Sequence, residues 1–185
     1  MRLIRTILPT PLGDMLALAS EEGLCALEFT TVVGPNRGQE RLSRLNARLT
    51  RWFPPHEIVD GEAPTIARTR TWLAAYFDGA RADVADLPLD MRGAGFEKRV
   101  WSALLTIPPG ATTSYGAIAK ALGSTNASRA VGAANGANPV AIIVPCHRVI
   151  GSTGSLTGYG GGLDRKTWLI HHERRWRTEP QASLF

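Results

Sequence analysis

The hydrophobic and polar positions of the first 90 residues predict a small sheet followed by two helices. Three short runs rich in apolar residues, 3–8, 15–19 and 24–29, are typical of strands. The sequence Glu21-Glu22-Gly23 predicts a hairpin turn between the last two runs, and therefore antiparallel pairing. Two later sets of apolar residues recur at helical spacing: Leu42, Leu45, Leu49 and Trp52, then Ile66, Trp72, Leu73 and Tyr76.

Proline and glycine residues mark where these elements begin and end. A loop around Pro35 precedes the first predicted helix, and Pro54 ends it. The second helix begins at Pro64 and stops before Gly79. Residues 87–90 then form a connector, so the pattern predicts a domain boundary near residue 90.

After residue 90 the pattern changes to that of a mainly helical domain. An amphipathic helix is predicted over residues 95–107. Ser114 is a good N-cap for a short helix over 115–122, and a second short helix follows over 129–136. Two short helices joined by a glycine-containing turn are typical of a helix-turn-helix, although many helical domains contain such a pair.

The second helix of this pair carries unusually small side chains. Gly132 lowers the intrinsic stability of a helix, so small size here has a purpose. One interpretation is close packing against a neighbouring helix. The other is close approach to DNA, with Arg129 projecting from the first turn and contacts to the backbone and minor groove.

A cysteine follows a short apolar run near the end of the chain. Residues 140–144 predict a buried strand that leads into Pro145-Cys146-His147-Arg148. A buried cysteine is often only a small apolar residue. The neighbours of Cys146 favour a reactive thiol instead, because the thiolate is the nucleophilic form and cationic groups stabilise it. Neighbouring residues on a strand point to opposite faces, so direct proton exchange between Cys146 and His147, as in a cysteine hydrolase, is not expected.

Two further segments contribute candidate groups. The glycine-rich segment 158–162 is either a surface turn or one wall of a pocket for a flat ligand, with Tyr159 as its stacking face. A helix over 164–174 follows. Its Glu173 either orients a histidine or is one more solvated carboxylate, and sequence spacing does not decide this.

Composition limits the choice of compartment and partner. The formal net charge is +5, which favours a polyanionic partner, but only three of the 21 basic residues are lysine and a coding bias toward arginine gives the same excess. No apolar stretch is long enough to cross a membrane, and no signal peptide is recognisable, so a cytoplasmic protein is expected. A structural disulfide between Cys25 and Cys146 is then not expected. The spacing of cysteine and histidine predicts no metal site and no cofactor.

Taken together, these motifs resemble the O6-alkylguanine-DNA alkyltransferase family. The resemblance is densest between Phe96 and Glu173 and is looser before residue 90. It is carried by the ordered motifs Ser114-Tyr115-Gly116, Arg129-Ala130-Val131-Gly132, Asn138-Pro139-Val140, Ile143 to Ile150, and Gly158 to Leu163.

The resemblance implies an α+β protein with three parts. Residues 1–90 would form a ribonuclease H-like domain with an antiparallel sheet, and 91–175 a helical DNA-binding domain with the helix-turn-helix. Residues 176–185 would be a tail. The implied activity is a single-use transfer of an alkyl group from O6-alkylguanine in DNA, and by extension O4-alkylthymine, to Cys146. The implied partner is double-stranded DNA bound by a monomer through the minor groove.

The resemblance also implies a role for each site residue. Cys146 accepts the alkyl group, His147 takes the thiol proton through a water, Glu173 orients His147, and Asn138 ties the recognition helix to the active-site loop. Arg129 fills the gap left by the flipped nucleotide, and Tyr115 donates to the guanine ring. The remaining implied residues bind DNA (Ser114, Tyr115, Ala130 and Gly132) or line the alkyl pocket (Ala141, Val149, Tyr159 and Gly160).

Two other functions remain open at this point. An alkyltransferase-like protein binds the lesion without transfer, but such proteins lack the acceptor cysteine. A plain helix-turn-helix regulator has no use for the chemistry around Cys146.

Overall fold

The computed structural model describes residues 1–31, 37–80, 84 and 87–178, and only the backbone of 37–41 and 177–178. The elements are, in chain order, β1 (Arg2–Leu8), β2 (Met15–Ala19), β3 (Leu24–Phe29), α1 (Arg37–Trp52), β4 (Glu57–Asp60), α2 (Pro64–Phe77), α3 (Gly95–Leu105), β5 (Thr113–Ser114), α4 (Tyr115–Ala121), α5 (Ser128–Gly136), a 3₁₀ helix (Cys146–Arg148), β6 (Val149–Ile150) and α6 (Leu163–Thr178).

The first four strands form one sheet in the order β3-β2-β1-β4. The predicted antiparallel hairpin of β2 and β3 is present, and β2 also pairs antiparallel with β1. The sequence analysis did not predict β4, which has only four residues and a charged residue at each end. This strand pairs parallel with β1, so it adds a parallel edge to the antiparallel sheet.

Each face of the sheet is covered by different elements. On one face, Leu45 and Leu49 of α1 pack with Leu3, Leu18 and Cys25 in a small apolar cluster. On the other face, Leu8, Met15 and Phe29 join a larger core together with α2 and the helical second part of the chain. This second face carries the helical domain.

The helical part is built around α3 and α5. The indole Nε1 of Trp101 on α3 donates a hydrogen bond to the carbonyl of Ala134 on α5 at 2.9 Å. Ser114 caps α4 as predicted, with its hydroxyl accepting from the backbone N–H of Ala117. Helix α3 ends at Leu105, two residues before the predicted end, and Leu105 itself is exposed rather than on the buried side.

The prediction of a strand over residues 140–144 is wrong. These residues are fully buried, but they form a compact turn in which Val144 N–H bonds to Val140 C=O, and Ile142 has a φ of +70°. Only one isolated bridge, Leu27 to Val140, joins the segment to β3 among the described residues. Burial and β-branched composition resemble those of a strand, but apart from the contact with Leu27 the backbone hydrogen bonds of the described segment are those of a turn.

Helix α6 is longer than predicted and runs to Thr178, with Trp176 buried. The predicted loop around Pro35 and residues 179–185 of the predicted tail lie outside the described residues. None of the described helices is both long enough and apolar enough to cross a membrane.

Candidate functional site

Cys146 lies at the start of the 3₁₀ helix that follows the buried turn. It is 7% exposed, and its backbone N–H donates to Val144 C=O at 2.8 Å. Its carbonyl accepts from Val149 N–H, which closes the 3₁₀ turn, and from the side chain of Asn135 at 3.4 Å. The expectation of an extended strand with Cys146 and His147 on opposite faces is therefore also wrong.

The carboxylate of Glu173 is the centre of the hydrogen-bond network beside this turn. Its Oε1 accepts from His147 Nε2 at 2.7 Å, from Tyr76 Oη at 2.8 Å and from Arg148 Nη2 at 2.9 Å. Its Oε2 accepts from Arg148 Nε at 2.9 Å and from the backbone N–H of Gly110 at 3.1 Å. Arg148 also donates to the carbonyl of Ile107.

The environment determines the charges in this network. Burial opposes ionisation of Glu173, but His147 and Arg148 outweigh it and hold the pKa of the carboxyl well below its usual value. Burial lowers the pKa of His147, although Glu173 pulls in the opposite direction. The resting state is therefore an ionised Glu173 paired with Arg148⁺ and a neutral imidazole.

The hydrogen bond to Glu173 fixes the tautomer of His147. An ionised carboxylate can only accept, so Nε2 carries the proton and Nδ1 is left as an acceptor. Nδ1 is buried and has no hydrogen-bond partner among the described residues. The base of the imidazole is thus oriented away from Glu173 and is available to receive a proton.

Asn138 holds the buried turn to the end of α5. Its side-chain amide donates to the carbonyls of Val140 and Val144, and its Oδ1 accepts from Val140 N–H at 3.0 Å. Asn138 N–H donates to the carbonyl of Asn135, which belongs to α5. These bonds join the end of α5 to the turn that precedes Cys146.

Lys166 is a buried cation near the thiol that the sequence analysis missed. Its Nζ donates to Val149 C=O at 2.7 Å and to Thr157 C=O at 2.8 Å. Burial lowers the pKa of Lys166, and the electrostatic interaction with Cys146 opposes this shift. A positive charge that faces the sulfur favours the thiolate over the thiol.

The glycine-rich segment is held against the N-terminal domain. A Cβ on Gly161 would lie 2.7 Å from Tyr159 and 2.8 Å from Phe29 of β3, so this position requires glycine. Arg165 lies over the Phe29 ring at 4.2 Å and donates to Gly161 C=O and Leu12 C=O.

The predicted pocket residues occupy different depths. The Tyr159 ring is half-buried and meets His147 edge-on, with centroids 6.5 Å apart. Gly160 is exposed, whereas Ala141 and Val149 belong to the core. Tyr159 contacts the His147 ring, and Val149 closes the 3₁₀ turn that begins at Cys146. Ala141 lies in the buried turn that precedes Cys146.

The predicted DNA-contacting residues lie at one surface. Arg129, Ala130, Ala133 and Gly136 are exposed along α5. Tyr115, at the start of α4, lies against α5, where a Cβ on Gly132 would contact its ring at 3.8 Å. The Tyr115 hydroxyl accepts from Thr157 Oγ1 at 3.1 Å, which leaves its own proton available.

These features define a protein with a buried, supported thiol on a domain that also carries a helix-turn-helix. Residues 95–175 match the family model for the 6-O-methylguanine DNA methyltransferase DNA binding domain. Residues 3–91 match that for the 6-O-methylguanine DNA methyltransferase ribonuclease-like domain. The chain belongs to the 6-O-methylguanine DNA methyltransferase family.

Curated relatives from several bacteria carry the name methylated-DNA–protein-cysteine methyltransferase. That of Mycolicibacterium paratuberculosis is 61% identical over 103 residues, 56% of this chain and 62% of that protein. That of Mycobacterium bovis is 60% identical over 136 residues, 74% and 77%. That of Salmonella typhimurium is 41% identical over 174 residues, 94% and 96%.

Solved structures of a Mycobacterium tuberculosis protein share the fold. The crystal structure of its O6-methylguanine methyltransferase superimposes with a TM-score of 0.74 at 39% identity, covering 99% of this chain and 96% of that one. The structure of the M. tuberculosis OGT protein in complex with DNA gives a TM-score of 0.71 at 39% identity, with coverage of 95% and 94%.

Proposed function

We propose that this protein repairs DNA by direct reversal, with Cys146 as a single-use acceptor of the alkyl group on O6 of guanine. The observation that carries the proposal is the position of Cys146, beside the His147–Glu173 pair and near the Lys166 ammonium, in a chain of this family. The relatives' name, which refers to methylated DNA and a protein cysteine, supports the same reaction.

The chemistry is an in-line displacement at saturated carbon. The thiol proton goes to His147 Nδ1 through a water, the sulfur forms a bond to the alkyl carbon, and the carbon–O6 bond breaks. The electron pair leaves with O6, so the leaving group is a guanine anion. Tyr115 stabilises this anion by donating a hydrogen bond to the ring nitrogen N3, and the proton held by His147 returns through water to give neutral guanine. The product is a thioether without a hydrolysable bond, so each molecule acts once.

Base flipping brings the lesion to the buried sulfur. The alkyl carbon is not accessible in line inside the duplex, and extrusion costs a few kcal/mol, least for a poorly paired base. We propose that α5 lies in the minor groove, where its exposed small residues permit close approach, and that Arg129 enters the stack. Tyr159, Gly160, Ala141 and Val149 then surround the flipped base and its alkyl group.

The family resemblance also implies that the backbone carbonyls of Cys146 and Val149 accept from the guanine amino group, and both already have protein donors. Cys146 C=O accepts from Asn135 and from the backbone, and Val149 C=O accepts from Lys166. A carbonyl oxygen has two lone pairs, so the Val149 carbonyl can accept from Lys166 and from the base together. The Cys146 carbonyl would have to exchange its long contact with Asn135.

The experiment that tests the proposal is intact-mass measurement. The full-length protein is incubated with duplex DNA containing O6-methylguanine, and we expect it to become heavier by one methyl group on the peptide that contains Cys146. DNA restored to guanine with no change in protein mass would overturn the proposal. Lesion binding without restoration or mass change would identify the alternative function, a lesion-binding protein without transfer.

Two cysteine variants serve as controls. Cys146→Ala should bind the DNA but gain no mass, whereas Cys25→Ala should be methylated like the wild type, because Cys25 lies in the apolar cluster under α1. Methyl transfer to Cys146→Ala would place the acceptor elsewhere.

Arg129 tests the proposed approach to DNA. We expect Arg129→Ala to slow repair of duplex DNA about tenfold or more while the reaction with free O6-alkylguanine base changes little, because only the duplex needs its stack filled. Arg68→Ala is the control, because Arg68 is exposed on α2 and its loss removes the same charge. Equal losses on duplex and free base would contradict the role of Arg129.

The cytoplasmic location, the monomeric state and the domain limits 1–90, 91–175 and 176–185 remain predictions. Gel filtration with and without DNA tests the second of these.

A further inference from the structure

The catalytic carboxylate is reached by a residue from the other domain. Tyr76 belongs to α2, in the part of the chain that matches the ribonuclease-like domain, yet its hydroxyl lies 2.8 Å from Glu173 Oε1. The same oxygen accepts from His147 Nε2 at 2.7 Å. Tyr76 and His147 therefore donate to the same oxygen atom, although Tyr76 has no part in the chemical steps proposed above.

The position of the phenol is tightly fixed. Tyr76 is 1% exposed and stacks on Trp72 at a centroid distance of 5.3 Å. Phe77, His172 and Trp176 contact the ring from other sides. His172 Nε2 also donates to the Tyr76 carbonyl at 2.7 Å, so backbone and ring are both anchored to α6, the helix that carries Glu173.

The phenol can act only as a donor to Glu173. The carboxylate is ionised and has no proton to give, so the hydrogen of this bond belongs to Tyr76. Burial raises the pKa of Tyr76 far above its ordinary value, and the negative charge of Glu173 raises it further. The hydroxyl consequently stays protonated throughout the working pH range and does not carry protons itself.

We propose that Tyr76 is a positioning residue that orients Glu173 and sets how strongly this carboxylate holds the proton of His147. A donor to Oε1 withdraws negative charge from the oxygen that His147 uses. Without it, the oxygen attracts the imidazole proton more strongly, which stabilises imidazolium over the neutral ring. The N-terminal domain would then tune the proton acceptor of the alkyl transfer rather than serve only as a support. This inference rests on the proposed function.

The charged and titratable groups that face His147 and Glu173 come from several elements. Arg148 is on the 3₁₀ helix with Cys146, Lys166 is on α6, Tyr76 is on α2, and Tyr159 is in the glycine-rich segment. A change at Tyr76 alone removes one neutral donor and leaves all formal charges in place. The substitution therefore separates the hydrogen bond from the net charge of the site.

The test is the pH dependence of single-turnover methyl transfer in Tyr76→Phe. Loss of the hydroxyl raises the proton affinity of His147, so the rate–pH profile should move toward higher pH. On the acid side of that displaced ionisation the rate should fall, on the order of tenfold for a hydrogen bond to a charged group. Thr69→Val is the matched control, because Thr69 is a buried hydroxyl on the same helix that bonds only within α2, to Thr65 C=O.

A second readout does not depend on DNA. Iodoacetamide reacts with the Cys146 thiolate directly, and a more stable His147 imidazolium favours that thiolate. Its rate–pH profile in the Cys25→Ala background should therefore move toward lower pH in Tyr76→Phe and stay in place in Thr69→Val. Rates are taken below the unfolding transition of each variant, so that a loss of stability is not mistaken for a loss of reactivity.

Failure of methyl transfer and failure of the Tyr76 role give different results. If the wild type transfers no methyl group, the proposed function fails. If it does, but Tyr76→Phe is merely less stable and keeps both pH profiles, Tyr76 is a structural contact and the inference is overturned. A displaced profile in Tyr76→Phe alone supports it.

Discussion

The two cysteines are both buried, but they have different polar neighbours. Cys25, on β3, is 1% exposed in the apolar cluster under α1, and its thiol donates to Gly23 C=O. Burial raises its pKa to about 11, and the nearby Asp90 carboxylate acts in the same direction. Cys146 is 7% exposed, interacts electrostatically with the Lys166 ammonium and adjoins the neutral His147.

Burial by itself therefore does not distinguish a structural thiol from a reactive one. Both sulfurs are removed from water, and the difference lies in what surrounds them. Near Cys25 there are a backbone carbonyl and a carboxylate, Asp90, that is already paired with Arg92, whereas near Cys146 there are a cation and a proton acceptor. Cys25 lies in a strand and fills a small space in the apolar cluster under α1. Cys146 lies in a turn whose backbone hydrogen bonds hold it next to His147.

The largest expected difference is in alkylation by iodoacetamide. At pH 7.5 a thiol with the pKa of Cys25 is ionised only about three times in ten thousand, and it is also covered by the core. We expect native protein to take up one label, on Cys146, about a hundredfold faster than a second. Peptide mapping after partial labelling measures this ratio, and comparable labelling of both residues would remove the distinction.

A smaller effect is expected from removing the cation near Cys146. Lys166→Met should slow the reaction of Cys146 with iodoacetamide about tenfold at neutral pH, because an ammonium near the thiolate is worth on the order of 1 kcal/mol or more in a partly buried site. Lys166→Arg should recover part of the rate.

The control for this change is Lys98→Met on the exposed side of α3, which alters the net charge equally. An unchanged rate in Lys166→Met, with the native fold retained, would mean that the ammonium only ties Val149 to Thr157.

The last expected effect is on stability in alkaline solution and leaves the reaction of Cys146 unchanged. The folded-state pKa of Cys25 is raised to about 11 from an ordinary 9.0. The unfolded thiol ionises near pH 9 and the folded thiol only near pH 11, so in this interval ionisation favours the unfolded state. The contribution of the raised pKa to stability is therefore complete below about pH 9 and is lost as the pH rises through about 11. Between these limits this residue should cost the wild type about 2 kcal/mol of unfolding free energy.

Urea unfolding at pH 8 and pH 11 measures that loss. Cys25→Ala should lose less stability over the interval than the wild type, by about 2 kcal/mol, while its methyl transfer at pH 7.5 stays the same. Identical losses in both proteins would show that the Cys25 thiol is not perturbed by its surroundings.

The sequence predicted the elements whose residues repeat with a clear period. Strands β1 to β3 and the helices were found because their apolar residues alternate or recur at helical spacing, and the cap at Ser114 has a local chemical signature. Strand β4 has no such signal. The buried turn before Cys146 was mistaken for a strand because its composition is that of a strand, whereas its conformation depends on the side-chain amide of Asn138 and on the pairing with β3.

The site residues that lie in short local motifs were predictable from the sequence. Those that reach the site from positions far apart in the chain were not. Cys146, His147 and Asn138 lie in one short stretch, and Glu173 entered through the family resemblance. Tyr76 was recognised only as an apolar helix position, because nothing in the sequence shows which group meets its hydroxyl. Lys166 was missed, since its burial depends on how α6 packs against β6 and the glycine-rich segment. Arg148 stood in the motif, but its partner is 25 residues away.

The position of α6 along the chain has a consequence for biosynthesis. During translation Tyr76 emerges first, then Cys146 and His147, and only afterwards Lys166 and Glu173. Domains generally fold from the N-terminus as they are made, so the ribonuclease-like half can form while the reactive sulfur still lacks its cation and carboxylate. In the nascent chain, Cys146 therefore lacks the groups that activate its thiol until α6 has packed against the rest of the domain.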